Sequence, residues 1–211
     1  MAAQSSEAIV LRTFPLKEAD LIVSYFTRDR GKLRGVAKRA RRPKSPFGAG
    51  LQRLSYVRMY YTHRENRDLD FLDSCEILSS PFSMVSDYDV SVALDFLTEA
   101  SEHLLPAAEP NERFFRLILA VRNYLNDAGV EGVWPAVTYF ALWSARLGGF
   151  LGPMELSEEE QEIGEEMLKV KLAELTPRPW RRETAAGLRR QLVRAIEDHV
   201  ERRITTLQYL G

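Results

Sequence analysis

Lys32, Arg34, Lys38, Arg39, Arg41, Arg42 and Lys44 place seven cations within thirteen residues. Across residues 28–58 there are eleven Lys/Arg side chains and one acid, Asp29. The whole chain carries a formal charge of −1, so removing that stretch leaves 18 basic and 29 acidic residues, a balance of −11. Concentrated charge of one sign suits a polyanion, because each neutralised phosphate releases condensed counterions. Phe47, Tyr56 and Tyr60 lie in the same region. Aromatic rings that stack on bases, beside basic side chains that hold phosphates, are the chemistry of single-strand binding. For Tyr56 and Tyr60 the plainer alternative is packing between strands, and for the basic run it is a solvated surface loop.

Other reactive constellations are sparse. Gly31-Lys32 lacks the earlier glycine and the Ser/Thr of a phosphate-binding loop, and there is no Gly-x-Ser-x-Gly. His63, His103 and His199 have no metal-ligand spacing. Asp68, Asp70 and Asp73 could serve a two-metal nuclease, although Asp is common in hairpin turns. The single cysteine, Cys75, cannot form an internal disulfide and reads as structural. Glu158-Glu159-Glu160 reads as a solvated helix start favoured by the helix dipole. No cofactor or metal is expected.

The elements that must position the cations follow from periodicity. Residues 7–14, 21–27, 32–37, 51–62 and 69–78 read as strands, with a turn at Arg28-Asp29-Arg30-Gly31 where Gly31 can take positive φ. Five strands in about 75 residues suit a small closed barrel, with the OB-fold as the leading candidate. Strand count alone does not separate it from an SH3-like barrel. Pro43, Pro46, Gly48 and Gly50 make the basic run a long mobile loop on that scaffold.

From Tyr88 the period becomes helical. Val92, Phe96, Ala100 and Leu104 form one stripe, ended by Pro106. Asn111 caps a second helix with Phe115, Leu119, Val121 and Leu125 toward the core, and Pro135 opens a third that stops at Gly148-Gly149. Ser157 and Glu160 have capping-box spacing for a fourth, and residues 184–204 form a fifth. Strands followed by helices give an α+β chain with a barrel domain over residues 1–80 and an all-helical domain over 81–211, the boundary lying near 79–86. The N-terminus shows no secretory signal pattern, and the most apolar stretch, 132–145, is shorter than the ~20 residues of a spanning helix. A cytoplasmic protein is expected.

The stretch Gly31-Lys32-Leu33-Arg34-Gly35-Val36-Ala37-Lys38-Arg39-Ala40-Arg41-Arg42-Pro43-Lys44-Ser45, preceded by Glu18-Ala19-Asp20-Leu21-Ile22 and Phe26-Thr27, resembles the bacterial RecO family. Glu7-Ala8-Ile9-Val10-Leu11, Leu51-Gln52 and the closing His199, Leu207, Tyr209 and Leu210 fit the same pattern. Three departures stand out. Arg39 occupies a position that is usually glycine, Arg53-Leu54 replaces Pro-Phe, and no four-cysteine zinc module follows Leu147-Gly148-Gly149. The resemblance implies an N-terminal OB-fold and a helical domain. It also implies a non-enzymatic recombination mediator that binds single- and double-stranded DNA and anneals complementary strands. Its implied partners are RecR and the C-terminal tail of the single-strand-binding protein, with RecA served indirectly. Lys32, Arg34, Lys38, Arg39, Arg41, Arg42, Lys44 and Phe47 are the candidate DNA-binding residues. Arg113, Arg116 and Arg122, beside Phe114 and Phe115, are candidates for receiving an acidic tail. An RNA-binding OB module is the alternative reading.

Overall fold

The structure, a computed structural model, describes residues 3–63, 68–81 and 86–210. The chain divides into two compact units, Met1–Ser83 with Leu105–Phe115, and Met84–Leu104 with Arg116–Gly211. The helix Glu112–Ala128 begins in the first unit and continues in the second.

Five strands close the first unit: β1 (Ala3–Pro15), β2 (Leu21–Thr27), β3 (Gly31–Ala37), β4 (Tyr56–Thr62) and β5 (Asp70–Ser79). Their order around the barrel is β1-β2-β3-β5-β4, with β4 returning to β1. Among these five described strands, the β3–β5 pair alone is parallel. This ring, with one long strand shared between two partners, is the OB-fold arrangement. β1 is longer than its alternation suggested, because residues 3–9 pair with β4 while residues 8–15 pair with β2. Ala8 and Ile9 pair on both sides, and a register shift in the β1–β2 ladder follows between Val10 and Arg12. β4 is shorter than expected and starts at Tyr56, since residues 51–54 form turns.

The interior follows the pleat. Val10, Val23, Tyr25, Ala37, Val57, Met59, Tyr61 and Leu72 face inward and are buried. The Tyr25 hydroxyl donates to Asp70 Oδ2 at 2.9 Å, linking β2 to β5 across the core. Burial and the neighbouring Asp70 push the Tyr25 phenol far up, so it stays a donor. Outside the barrel, residues 105–115 lie against β2 and β3. Ala108 N–H donates to the Lys32 carbonyl at 2.9 Å, and the Phe115 ring packs 5.7 Å from Phe26 and 6.1 Å from Tyr56. Gly31, at φ 77°, allows this approach, because a Cβ there would stand 2.3 Å from the Glu109 carbonyl oxygen.

The second unit is helical, with α1 (Tyr88–Leu104), α2 (Glu112–Ala128), α3 (Val133–Leu147), α4 (Glu158–Lys169) and α5 (Ala186–Val200). Asn111 Oδ1 accepts from Phe114 N–H at 3.0 Å, the expected cap. Ser157 and Glu160 form the expected capping box at α4. Glu160 goes beyond the sequence reading of a solvated acidic start. Its Oε1 also accepts from the Gly187 and Leu188 amides, so one carboxylate caps two helices. Burial alone would raise the pKa of Glu160, but bonds from the Ser157, Leu188 and Gly187 amides hold it below the usual carboxylate value. Phe96, Val121, Leu125, Phe140, Ile163, Met167, Leu188, Leu192 and Ile196 are fully buried in this unit.

Candidate nucleic-acid interface

Strand β3 carries the first cations. Leu33 and Ala37 pack with the core, so Lys32, Arg34 and Val36 face outward. Across β2 these three pair with Phe26, Ser24 and Ile22. Val36 pairs on its other side with Phe71, and Ile22 with Phe14. The outer face therefore bears a half-buried row, Phe14-Ile22-Val36-Phe71, running across four strands. Cations border it: the Arg34 guanidinium lies 5.8 Å from the Phe14 ring centre and Lys38 Nζ 5.5 Å from that of Phe71. Exposed Arg12 extends the edge. Sequence reasoning missed Phe14, Phe71 and Arg12.

The basic loop between β3 and β4 is hydrogen-bonded to the barrel at both ends. Arg39 N–H donates to Asp20 Oδ1 at 2.8 Å and Arg41 N–H to the Ala19 carbonyl at 3.1 Å, tying the loop to the β1–β2 connection. Successive turns follow, from Arg42 N–H to Arg39 O and from Ser45 N–H to Arg42 O. At the far end Leu54 N–H donates to Val10 O at 2.6 Å, and Val10 N–H to Ser55 O at 3.0 Å. Leu51 and Leu54 are buried.

Phe47 is the central anchor, and its expected DNA-binding role is corrected. Its side chain is 2 % exposed and belongs to the barrel core, so no base can stack on it. Cys75 fixes the same turn by donating from Sγ to the Phe47 carbonyl at 3.4 Å. Burial pushes the Cys75 thiol up to about 11, as a structural cysteine requires.

The cations point the other way. Lys38, Arg39, Arg41, Arg42 and Lys44 are exposed, and among the described residues none of the five is ion-paired with a carboxylate. Arg39 and Lys44 adopt φ values of 54° and 60°, in the left-handed region. The site is thus a rigidly supported array of un-neutralised charge beside an aromatic row.

The remaining candidates separate. Tyr56 packs, as its plainer reading had it. Its hydroxyl donates to Glu7 Oε2 at 2.6 Å, while Arg28 pairs with the same carboxylate at 2.6 Å. Tyr60 is 38 % exposed. Arg113 and Arg116 are exposed on α2, but Arg122 is 2 % exposed, so the expected trio is not presented on a surface. Burial pushes the Arg122 guanidinium pKa down. Phe114 and Phe115 are likewise buried against Phe26 and unavailable to a ligand. Asp70 is committed to Tyr25 and His63, and Asp73 accepts from Thr62. Among the described residues no cluster of three or more His, Cys, Asp or Glu could hold a metal ion, and no helix is long and apolar enough to cross a membrane.

Comparison with known proteins bears on the same region. The family model described as Recombination protein O N terminal matches residues 1–81, the span of the barrel strands and the basic loop. The chain is 39 % identical to the DNA repair protein RecO of Koribacter versatilis, over 98 % of each chain. That alignment spans 241 positions against 211 residues here, so at least 30 positions are gaps in this chain. It is 31 % identical to the DNA repair protein RecO of Salinibacter ruber, over 92 % of this chain and 76 % of that one. A likeness that covers the barrel, its cationic loop and the helical unit together establishes that the chain belongs to the RecO family of DNA repair proteins.

Proposed function

We propose that this chain is a non-enzymatic recombination mediator in DNA repair, binding single- and double-stranded DNA and annealing complementary strands. With RecR it helps RecA load onto DNA coated by single-strand-binding protein, whose acidic tail it also engages. Nucleic-acid binding resides in the barrel domain, residues 1–80, and partner binding in the helical domain, residues 81–211. Lys32, Arg34, Lys38, Arg39, Arg41, Arg42 and Lys44 hold phosphates, and Phe14 and Phe71 offer rings to bases. Arg113 and Arg116 remain the candidates for the acidic tail.

One observation carries the reading: five exposed cations, without ion pairs among the described residues, stand on a loop anchored by Phe47, Leu51 and Leu54. Un-neutralised charge on fixed backbone attracts a phosphate chain without an ordering penalty for the loop. Annealing then requires no reacting side chain. Cations screen the repulsion between two backbones, and base pairing supplies the free energy.

The test is strand annealing with Arg41→Glu and Arg42→Glu combined. A loss of about tenfold or more in rate is expected, on the scale of two phosphate contacts replaced by repulsion. Annealing at the parental rate would overturn the assignment of the loop. Competition between matched single-stranded DNA and RNA checks the substrate class, and strong preference for RNA would favour an RNA-binding module instead.

A further inference from the structure

The helical unit contains a second cationic surface that the charge count alone hides. Residues 178–203 hold eight arginines, four acids and no lysine. Six of those arginines line a cavity of about 1200 Å³ along α5, with Trp134 in its wall.

The six divide by role. Arg189 is structural: it is 7 % exposed, lies 4.4 Å over the Trp134 ring, and donates to Thr138 Oγ1 at 3.2 Å, to Thr184 O at 3.1 Å and to the Arg182 carbonyl. Arg203 pairs with Glu197 at 3.1 Å and Arg194 with Asp198 at 3.9 Å. Arg182, Arg190 and Arg202 are exposed and, among the described residues, have no carboxylate partner. Burial, followed by the like charges of Arg190 and Arg182, pushes the Arg189 guanidinium down to about 10. Arg190 and Arg182 repel Arg189, and the Glu183 and Glu160 carboxylates offset part of that repulsion. The lining as a whole holds six arginines against four acids, an excess of two positive charges.

The occupant follows from the layout. Arg182 precedes α5, Arg190 lies on it and Arg202 follows it, so the charges spread along a fifteen-residue helix. At 1.5 Å per residue that is about 22 Å, too long for one small anion and suited to a chain of them. Guanidinium forks match phosphate oxygens bidentately.

We propose that this cleft binds the phosphates of a nucleic-acid strand, as a second site in addition to the barrel loop, so that the protein handles two strands at once. The proposal rests on the strand-annealing reading above and adds where a second strand is held. Its experiment uses the full chain with Arg182→Gln and Arg190→Gln combined, alongside the Arg41→Glu, Arg42→Glu protein. Binding to poly(dT) is measured across salt, and annealing is timed.

The glutamine protein should lose about 1.4 from the log–log salt slope, two contacts at ~0.7 each, and anneal several-fold more slowly with an unchanged melting temperature. Arg182→Lys with Arg190→Lys should restore most of the slope. A parental slope and rate in the glutamine protein would overturn the proposal. So would equal loss in the lysine protein, which would mark a structural role, or weakened binding confined to a polyglutamate peptide. If only the α5 variants are silent, this inference alone fails. If the loop variant is silent too, the annealing reading fails with it.

Discussion

In residues 38–55 apolar side chains hold the backbone and the cations are left over, whereas in the helical unit arginines themselves do the holding. Phe47, Leu51 and Leu54 fix the loop while Lys38, Arg39, Arg41, Arg42 and Lys44 face solvent. By contrast Arg122 is buried, Arg189 spans a ring and three acceptor groups, and Arg178 is paired with Glu166. The same residue type is free for recognition where it is exposed and un-neutralised, and a structural brace where it is buried or paired. Exposure and neutralisation, not the number of charges, separate the two roles.

That contrast can be broken from either side. The largest effect is expected for Phe47→Ala. Removing a fully buried ring from the barrel core should cost about 3–5 kcal/mol, read as a fall in the urea midpoint. It should also weaken single-strand binding although no charge changes, since the loop loses its anchor. Stability within about 1 kcal/mol of the parent would mean the loop is not braced through this ring.

Next comes Arg122→Ala. Loss of a buried guanidinium and its packed stem should destabilise the helical unit by about 2–3 kcal/mol and leave single-strand affinity within about twofold. A large loss of affinity for an acidic tail peptide, with stability retained, would return Arg122 to the partner surface.

Glu99 supplies a pH test. Its carboxylate is 6 % exposed and accepts from the amides and hydroxyls of Thr205 and Thr206. Burial alone would raise its pKa, but those bonds hold it below the usual 4.5. Its contribution to stability is therefore full above the unfolded-state value and lost as pH falls through the lower folded one. Thermal unfolding of the parent should show that loss at pH below 4.5, and Glu99→Gln should flatten it. An unchanged pH profile in the variant would remove Glu99 as the source.

The smallest effect is expected for Arg39→Gly. At φ 54° an arginine sits in a region that costs roughly 1–2 kcal/mol, while glycine adds unfolded-state freedom of roughly 0.5–1 kcal/mol. Stability should stay within about 1 kcal/mol of the parent, at or above it, while one phosphate contact is lost. This strain gives a physical reason for the glycine that the family resemblance places there.

Much of the fold was legible because alternation in β3 and β4 and the stripe Val92, Phe96, Ala100 along α1 report burial directly. Caps at Asn111 and Ser157 were equally readable, since their partners lie within three residues. What stayed hidden depends on pairing between distant segments. The Phe14-Ile22-Val36-Phe71 row requires the β1–β2 and β3–β5 registers, which no local pattern contains. Phe47 was misread because proline, glycine and arginine around it suggested mobility. The spacing Phe47, Leu51, Leu54 was the signal of an anchored segment. Arg122 was misread because charge suggested exposure, although Val121 and Leu125 beside it are core residues.

The most direct test of the central claim is the salt dependence of single-strand binding for the parent and for Arg41→Gln with Arg42→Gln. A protein making about six phosphate contacts should show a log–log slope near −4 to −5, and the variant should lose about 1.4 of it without a change in melting temperature. An identical slope for both proteins would contradict the account, because the exposed, unpaired cations of the anchored loop would then not be where the strand is held.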